Sequence, residues 1–357
     1  MTRNNVKIEY YKNSVIFPTL HNLSDYKFSQ IREINSEYKT SFIQIAGFIN
    51  GNCYFFAYIN EDRYIFKIDS YGKIVKLASC PKEFFPLACL DDKLIGYMWD
   101  FRLHEDAREL IYTENFSTWL TAPLSGIIAD SHIKVAISNK GWMIGRLQDT
   151  KVVINCGEDL RNLKKLELPK DFSEYEVVDF TFASNILYLI SYLPEKEREI
   201  SASNLAMISS KDFIDWQCSR LDFPDKIGCL KVLPCLNDAL VIGKDYFAEV
   251  NEDRFYIVSL FQHEKGKLYP LYKVFARKWP FYDCGPVSPQ LTDVYSASSV
   301  EENEIELWLS NNLVDRLDFT IPRPSPDANS VQAAMNDKSL VMACEDKLYI
   351  SDIITGV

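Results

Sequence analysis

One short pattern occurs four times in this chain, and it constrains the fold more than any other feature. The pattern is a small residue, a spacer, Asn or Asp, Phe or Leu, two spacers and a larger residue. Its copies begin at Thr113, Gly157, Ser210 and Ser310, so that successive starts lie 44, 53 and 100 residues apart. Because 100 residues correspond to two steps of about 50, the spacing indicates one supersecondary unit repeated along the chain.

Each repeat expands into short apolar or alternating runs bounded by turn residues, which is the pattern of β-strands. In the first repeat we predict strands at 42–49, 53–59, 63–69 and 74–80, with Asn50-Gly51 as the first hairpin turn. The third strands of successive repeats end near residues 69, 113, 157, 210, 261, 310 and 353. The sequence therefore predicts an all-β protein, a single β-propeller of seven four-stranded blades between residues 42 and 353, with six blades as the alternative.

The last repeat has only three predicted strands, which bears on how such a propeller would close. A strand near the N-terminus, at residues 6–12, is expected to complete this blade, because closure removes the open edge between the first and last blades. Residues 14–41 are expected to form a connecting loop or short helix over one face. No interdomain linker is visible, so residues 1–357 are predicted to form one domain.

The repeated pattern falls at the turn between the third and fourth strand of a blade. Asn and Asp favour such turns because their side chains hydrogen-bond backbone groups two residues further on. The large residue that follows is expected to pack against the neighbouring blade. The predicted turn residues are Asn115, Trp119, Asp159, Asp212, Trp216 and Asn312.

Residues 112–119 and 208–216 resemble the Asp-boxes, or BNR repeats, of sialidase-like β-propellers. The family pattern is Ser-x-Asp-x-Gly-x-Thr-Trp, whereas here the central Gly is replaced and the step from Asn or Asp to Trp is one residue shorter. The resemblance implies a propeller fold. Asp-boxes are structural in that family and lie away from its catalytic face, so the resemblance transfers no activity.

Charge and cysteine content narrow the range of partners and compartments. The net charge is −11, from 50 acidic and 39 basic residues, which disfavours a nucleic-acid partner and suits a basic one. Nine cysteines without a CxxC pair indicate neither a zinc site nor a disulfide framework. Residues 1–6 lack the start of a signal peptide and no run of 18 apolar residues occurs, so we expect no membrane contact and a cytoplasmic location.

Catalytic and cofactor motifs are absent from the sequence. The four histidines, at 21, 104, 132 and 263, are not at metal-ligand spacing, and no GxSxG, Walker A or GxGxxG pattern occurs. No catalytic, cofactor-binding or metal-binding residue is therefore predicted, and the enzyme question stays open with a preference for no activity. The enzymatic alternative is a sialidase-like glycan hydrolase with its site in the central channel. It would use carboxylates such as Asp91, Asp92, Asp100, Glu105 and Asp106, although no recognisable sialidase arginine segment occurs.

Two aromatic stretches that do not repeat are the predicted partner-binding residues, since aromatic loop residues often anchor protein interfaces. They are Tyr97, Trp99, Phe101, Trp279, Phe281 and Tyr282. The function expected from these features is a non-catalytic protein-interaction propeller that is monomeric in isolation. An acidic chain of this bacterial-looking composition fits an immunity or inhibitor protein that binds a basic toxin domain. A structural scaffold or adaptor is a further alternative.

Overall fold

A computed structural model gives the fold for most of the chain. It describes residues 7–10, 26–69, 71–99, 108–122, 133–138, 141–148, 151–183, 185–194, 205–221, 229–234, 239–250, 253–264, 267–276, 285–288, 291–300, 302–310, 316–328 and 331–354. Within these ranges the regular structure consists of strands and of two single-turn 3₁₀ helices, Leu160–Asn162 and Lys170–Phe172.

The strands within the described ranges form seven antiparallel sheets, numbered here in chain order. Sheet 1 contains Ser41–Ile49, Asn52–Ile59, Asp62–Ile68 and Ile74–Ser79, and sheet 2 contains Phe84–Leu90, Lys93–Trp99, Arg108–Thr113 and Leu120–Ala122. Sheet 3 contains Ile133–Ser138, Gly141–Gln148, Lys151–Gly157 and Lys164–Lys165, and sheet 4 contains Glu176–Ala183, Ile186–Tyr192, Leu205–Ser210 and Trp216–Arg220. Sheet 5 contains Cys229–Pro234, Ala239–Val250, Asp253–Glu264 and Lys267–Ala276, and sheet 6 contains Gly285–Ser288, Leu291–Val300, Glu304–Ser310 and Arg316–Pro322. Sheet 7 contains Gln332–Met335, Ser339–Cys344 and Lys347–Ile354.

Strands that follow one another in the chain are also neighbours in the sheet, as in a simple meander. The prediction of an all-β protein with four-stranded antiparallel sheets is confirmed. The observed bounds in sheet 1 differ from the predicted ones by at most one residue. Its first turn also has the predicted chemistry: Asn50 and Gly51 both have positive φ, +49° and +77°, as a two-residue hairpin requires.

The N-terminal segment pairs differently from the expectation. Strand Lys7–Tyr10 hydrogen-bonds to Lys267–Ala276, the outer strand of sheet 5, and not to the last sheet. Sheet 7 instead gains its outer strand from Lys27–Phe28 and Arg32–Glu33, both antiparallel to Lys347–Ile354. The physical reason is that an apolar contact anchors residues 27–33, which belong to the segment 14–41 that is expected to form a loop or short helix. The Phe28 ring lies edge-on to Phe319 at 4.9 Å, which holds residues 27–33 on the edge that 6–12 was expected to cover.

The sheets belong to two compact units. Sheets 1, 2, 6 and 7 form the four-sheet unit, in which sheet 1 is buried on both faces. Phe55 packs in one apolar cluster with Ile350 of sheet 7, whereas its neighbour Phe56 packs in another with Phe84 of sheet 2. Successive side chains of a strand point to opposite faces, so this one strand contributes to two cores.

Sheets 3, 4 and 5 form the three-sheet unit, which is built in the same way around sheet 4. Leu189 packs with Met143 of sheet 3, and the next residue, Ile190, packs with Val232 of sheet 5. The contact between sheets 3 and 4 is close enough that a Cβ atom on Gly145 would overlap the ring of Phe180. Glycine is therefore the residue that this position requires.

Candidate interaction surface

Two of the predicted turns have the same internal hydrogen bonds. Asn115 Oδ1 accepts the backbone N–H groups of Ser117 at 3.0 Å and Thr118 at 2.8 Å. Asp212 Oδ1 accepts those of Ile214 at 2.9 Å and Asp215 at 2.8 Å. These backbone hydrogen bonds lower the pKa of the Asp212 carboxyl group, because they favour its charged form.

The aromatic residues of these turns pack within the chain. Phe116 has a left-handed φ of +61°, and its ring stacks on Tyr54 of sheet 1 at 4.7 Å. Trp119 contacts Phe84 at 4.6 Å between ring centroids. In the second turn Phe213 has φ +64° and lies near Trp216, with ring centroids 6.4 Å apart.

The other two copies of the pattern carry Asp159 and Asn312. Asp159 directly precedes the 3₁₀ helix Leu160–Asn162 and is partly buried, whereas Asn312 lies outside the described residues. A related turn, which the repeat did not reveal, begins at Asp69 and uses the N–H groups two and four residues further on. Its Oδ1 atom accepts the N–H groups of Tyr71 at 3.0 Å and Lys73 at 2.9 Å. Asp69 lacks the following Phe or Leu, so only its position after a third strand could have indicated it.

Tyr97 is the predicted partner-binding residue that the structure places most fully. It is half-buried in sheet 2, where its ring stacks on Phe85 at 5.4 Å. Trp99 ends the same strand opposite Arg108. The remaining predicted residues, Phe101, Trp279, Phe281 and Tyr282, lie outside the described residues. Of the carboxylates considered for hydrolysis, Asp91 and Asp92 form an exposed hairpin turn with φ of +47° and +57°.

Arg63 is a buried cation beside Phe85, the residue whose ring stacks on Tyr97. Its side chain is 2% exposed and donates hydrogen bonds to the Phe84 carbonyl and to Gln44 Oε1. Its guanidinium carbon lies 5.4 Å from the ring centroid of Tyr58 and 5.6 Å from that of Phe85. No carboxylate of the described residues pairs with it, so neutral acceptors and aromatic faces hold the charge between sheets 1 and 2.

In the three-sheet unit two partly buried charges, Lys134 and Asp179, pair with each other. Lys134 Nζ donates to Asp179 Oδ1 at 3.1 Å and also to the carbonyl of Phe180. The second oxygen of Asp179 accepts the N–H of Val232 at 2.9 Å. This pair therefore joins the first strands of sheets 3, 4 and 5, and its polar groups are used in holding those strands together.

Phe42 combines an exposed aromatic side chain with an unfavourable backbone conformation. Its side chain is 76% exposed, and its φ of +54° lies in the left-handed region, which bulky residues rarely adopt. The register of sheet 1 shifts between Ser41 and Gln44, which is a bulge at this point of the strand. The next residue, Ile43, is buried and donates its N–H to the Glu345 carbonyl at 2.8 Å. The backbone on both sides is thus fixed while the ring faces solvent.

Hydrogen bonds link turns of three sheets at this end of the four-sheet unit. Ile43, the residue after Phe42, donates its N–H to Glu345 in the two-residue turn Glu345-Asp346 of sheet 7, and Ser325 Oγ donates to Glu345 Oε1 at 2.8 Å. The 323–328 loop that carries Ser325 is in turn bonded to sheet 6, since Arg323 N–H donates to the Asn303 carbonyl at 3.0 Å. We call this region of the four-sheet unit the Phe42 end. It includes residues 41–42, 60–62, 82–83, 302–304, 323–328 and 345–346.

A small cleft lies at the opposite end of sheets 1 and 7. Its lining includes Gly51, Asp69, Lys338 and Asp352, and its volume is about 50 Å³. Organic ligands usually occupy pockets of about 300–1,000 Å³. This cleft therefore suits bound water better than a substrate.

Burial disfavours ionisation of three buried thiols. It raises the pKa of Cys80 to about 12, raises that of Cys344 to about 11, and also raises that of Cys53. A thiol with a raised pKa is a weak nucleophile at neutral pH. Within the described part of the chain, no three His, Cys, Asp or Glu residues are grouped so as to hold a metal ion, and no helix is long and apolar enough to span a membrane.

No protein-family model matches the chain, and no curated protein matches it. Solved structures show distant likenesses. A catalytically inactive virginiamycin B lyase from Staphylococcus aureus, with quinupristin, is 14% identical with a TM-score of 0.47, and the match covers 92% of this chain and 100% of that one. The WD40 domain of SCAP from fission yeast is 11% identical with a TM-score of 0.45, covering 98% of each chain. Neither likeness assigns an activity to this chain.

Proposed function

We propose that the chain is a β-propeller of seven blades, one for each sheet, and that it binds a protein partner without catalysing a reaction. The observation that carries the binding proposal is Phe42, a 76% exposed aromatic side chain on a fixed, left-handed backbone. Burying a Phe side chain contributes about 1.5–3 kcal/mol, and this chain leaves that contribution unused. A partner that covers the ring would gain it.

Site-specific photo-crosslinking in cells tests this function. A benzophenone amino acid replaces Phe42, Tyr71 or Ile214 in turn, since all three side chains are more than three-quarters exposed. We expect a protein adduct at one of these positions. The adduct partner, expressed and purified separately, should bind the wild-type chain with a dissociation constant of about 1 μM or tighter. Adducts whose purified partners do not bind would contradict the proposal.

We further propose that the partner is a basic toxin domain, which would make the chain an immunity or inhibitor protein. The net charge of −11 supports a basic partner. Co-expression with the products of neighbouring genes tests this more specific role. We expect a stable complex with one of them and rescue of cells from its toxicity. If no neighbouring product forms a complex with the chain and no cells are rescued, the immunity role is removed. The general binding function would still stand.

A further inference from the structure

We propose that the Phe42 end docks a basic segment of the partner protein, with an apolar side chain of that segment packed on the Phe42 ring. This inference rests on the proposed binding function and adds its location and the chemistry of the partner. The surface consists of one aromatic anchor and the turns of sheets 1, 6 and 7 at the same end of the four-sheet unit.

The charge of this surface favours a basic partner. Its exposed carboxylates that make no ion pair with described residues are Glu61, Glu83, Glu302, Glu304, Asp327, Glu345 and Asp346. The nearby lysines are mostly neutralised: Lys82 pairs with Asp62 at 3.5 Å, and Lys347 pairs with Glu33 at 2.7 Å. Lys39, just before sheet 1, is exposed and makes no ion pair with described residues. Arg323 directs its guanidinium at the carbonyls of Pro326 and Ala328.

The spacing of the carboxylates distinguishes a basic segment from a metal ion. They are distributed over several turns and loops, and no three of the described carboxylates are grouped as metal ligands. Separated negative charges match lysine and arginine side chains along an extended or helical segment, which contact one carboxylate each. An anionic partner such as a nucleic acid would be repelled.

Phe42 supplies the apolar centre of such an interface. Its backbone is fixed on one side by the ladder pair Ser41–Tyr58 and on the other by the Ile43–Glu345 hydrogen bond. A fixed aromatic side chain loses little conformational entropy on binding, which is a common property of interface anchors. Its face can accept an apolar side chain or the stem and charge of a lysine or arginine.

Two fluorescein-labelled peptides probe the surface directly. One carries eight lysines around a central Leu-Leu pair, and the other has every lysine replaced by glutamate. We expect the lysine peptide to bind the wild-type chain at low ionic strength, with an affinity that falls as salt is added, and the glutamate peptide not to bind. Phe42→Ala should weaken the lysine peptide about tenfold or more, and combined Glu345→Gln and Asp346→Asn several-fold.

Matched variants at the opposite end of the same sheets are the controls. Tyr71→Ala removes an 89% exposed aromatic side chain, and Asp337→Asn removes an exposed carboxylate at the other end of sheet 7. Both should change peptide affinity less than about twofold. Far-UV circular dichroism and thermal unfolding of each variant verify that the fold is retained.

Several results would overturn the inference. They are equal losses in Phe42→Ala and Tyr71→Ala, binding of the glutamate peptide, or a self-dimer in light scattering that Phe42→Ala dissociates. A crosslinked partner whose affinity is unchanged by Phe42→Ala would also overturn it, but the proposed binding function would survive. The absence of any crosslinked partner that binds would instead remove the proposed function itself.

Discussion

Phe116 and Phe42 place an aromatic residue in the same strained backbone conformation, with φ of +61° and +54°, but the two side chains have opposite environments. The Phe116 ring stacks on Tyr54 at 4.7 Å, whereas Phe42 is 76% exposed. A left-handed conformation costs about 1–2 kcal/mol for a residue with a Cβ atom. At Phe116 packing inside the chain offsets this cost. At Phe42 the described residues provide no comparable packing, which points to a partner.

The polar groups of the repeated turn and of the Phe42 end also differ in their environments. Asn115 directs its side-chain oxygen at two backbone N–H groups of its own turn. At the Phe42 end, Asp346 and Asp327 are exposed, and the exposed Glu345 carboxylate accepts a hydrogen bond from the Ser325 hydroxyl. The Asn115 and Asp212 turns therefore have internal partners for these backbone groups. The end that does not repeat keeps its charges available to solvent and to a partner.

The largest expected effect is a difference of sign between two glycine substitutions. Phe42→Gly relieves the left-handed strain and loses no packing. The greater conformational entropy that glycine loses on folding offsets part of this gain, so the substitution should stabilise the protein by about 0.5–1 kcal/mol. Phe116→Gly relieves the same strain but removes the stack on Tyr54, and should destabilise by about 2 kcal/mol. Denaturant unfolding measures both. Destabilisation by Phe42→Gly as large as by Phe116→Gly would show that Phe42 is also a packing residue.

A somewhat smaller effect is expected from the turn hydrogen bonds alone. Asn115→Ala leaves two backbone N–H groups without their acceptor and should lower the free energy of unfolding by about 1–2 kcal/mol. Thr118→Ala is the control, because Thr118 contributes only its backbone N–H, which the substitution retains. Urea unfolding of both variants separates the cases. A loss in Thr118→Ala equal to that in Asn115→Ala would mean that the turn hydrogen bond is not the source of stability.

Much of the local structure could be predicted because it depends on neighbouring residues. The Asn50-Gly51 turn and the Asn115 and Asp212 turns follow from residues that tolerate or require those conformations. The pairing of the N-terminal strand could not be predicted in this way. Residues 6–12 and 27–33 both offer short strand-like runs, and the choice between free edges depends on contacts such as Phe28 with Phe319, which are distant in sequence.

The candidate surface was hidden for a related reason. Phe42 looks like the first apolar residue of a strand and therefore like a core residue. A bulge between Ser41 and Gln44 changes its direction, and alternation cannot predict a bulge. Arg63 follows a hairpin turn and resembles a solvated charge, but Phe84 and Phe85 of the next sheet enclose it. Of the six aromatic residues predicted from loop composition, Tyr97 is the one whose side chain the structure describes, and its ring stacks on Phe85.

The pH dependence of stability tests the contribution of the Asp212 turn. The pKa of Asp212 is lowered in the folded protein from its ordinary value of 3.8 because the carboxylate accepts two backbone N–H groups. Its stabilising contribution is therefore present above that value and is lost as the pH falls through the lowered folded pKa. The stability difference between wild type and Asp212→Asn should shrink between about pH 5 and about pH 2.

The Asn115 turn provides the reciprocal experiment. Asn115→Asp should add the pH dependence that Asp212→Asn removes, because the hydrogen-bonding geometry of the two turns is the same. Urea unfolding at several pH values measures both variants against wild type. If neither substitution changes the pH dependence of unfolding, the turn carboxylate does not titrate differently in the folded and unfolded chains.

The smallest expected effect on the free energy of unfolding is at the Phe42 end. Glu345→Gln keeps an oxygen for the Ser325 hydroxyl, and Asp346→Asn changes an exposed group, so each should alter the free energy of unfolding by less than about 0.5 kcal/mol. The same two substitutions are expected to weaken binding of a basic peptide several-fold. A loss of stability above about 1 kcal/mol in either variant would mean that these carboxylates hold the turn together. The Phe42 end would then resemble the repeated turns, and its charges would no longer favour a basic partner.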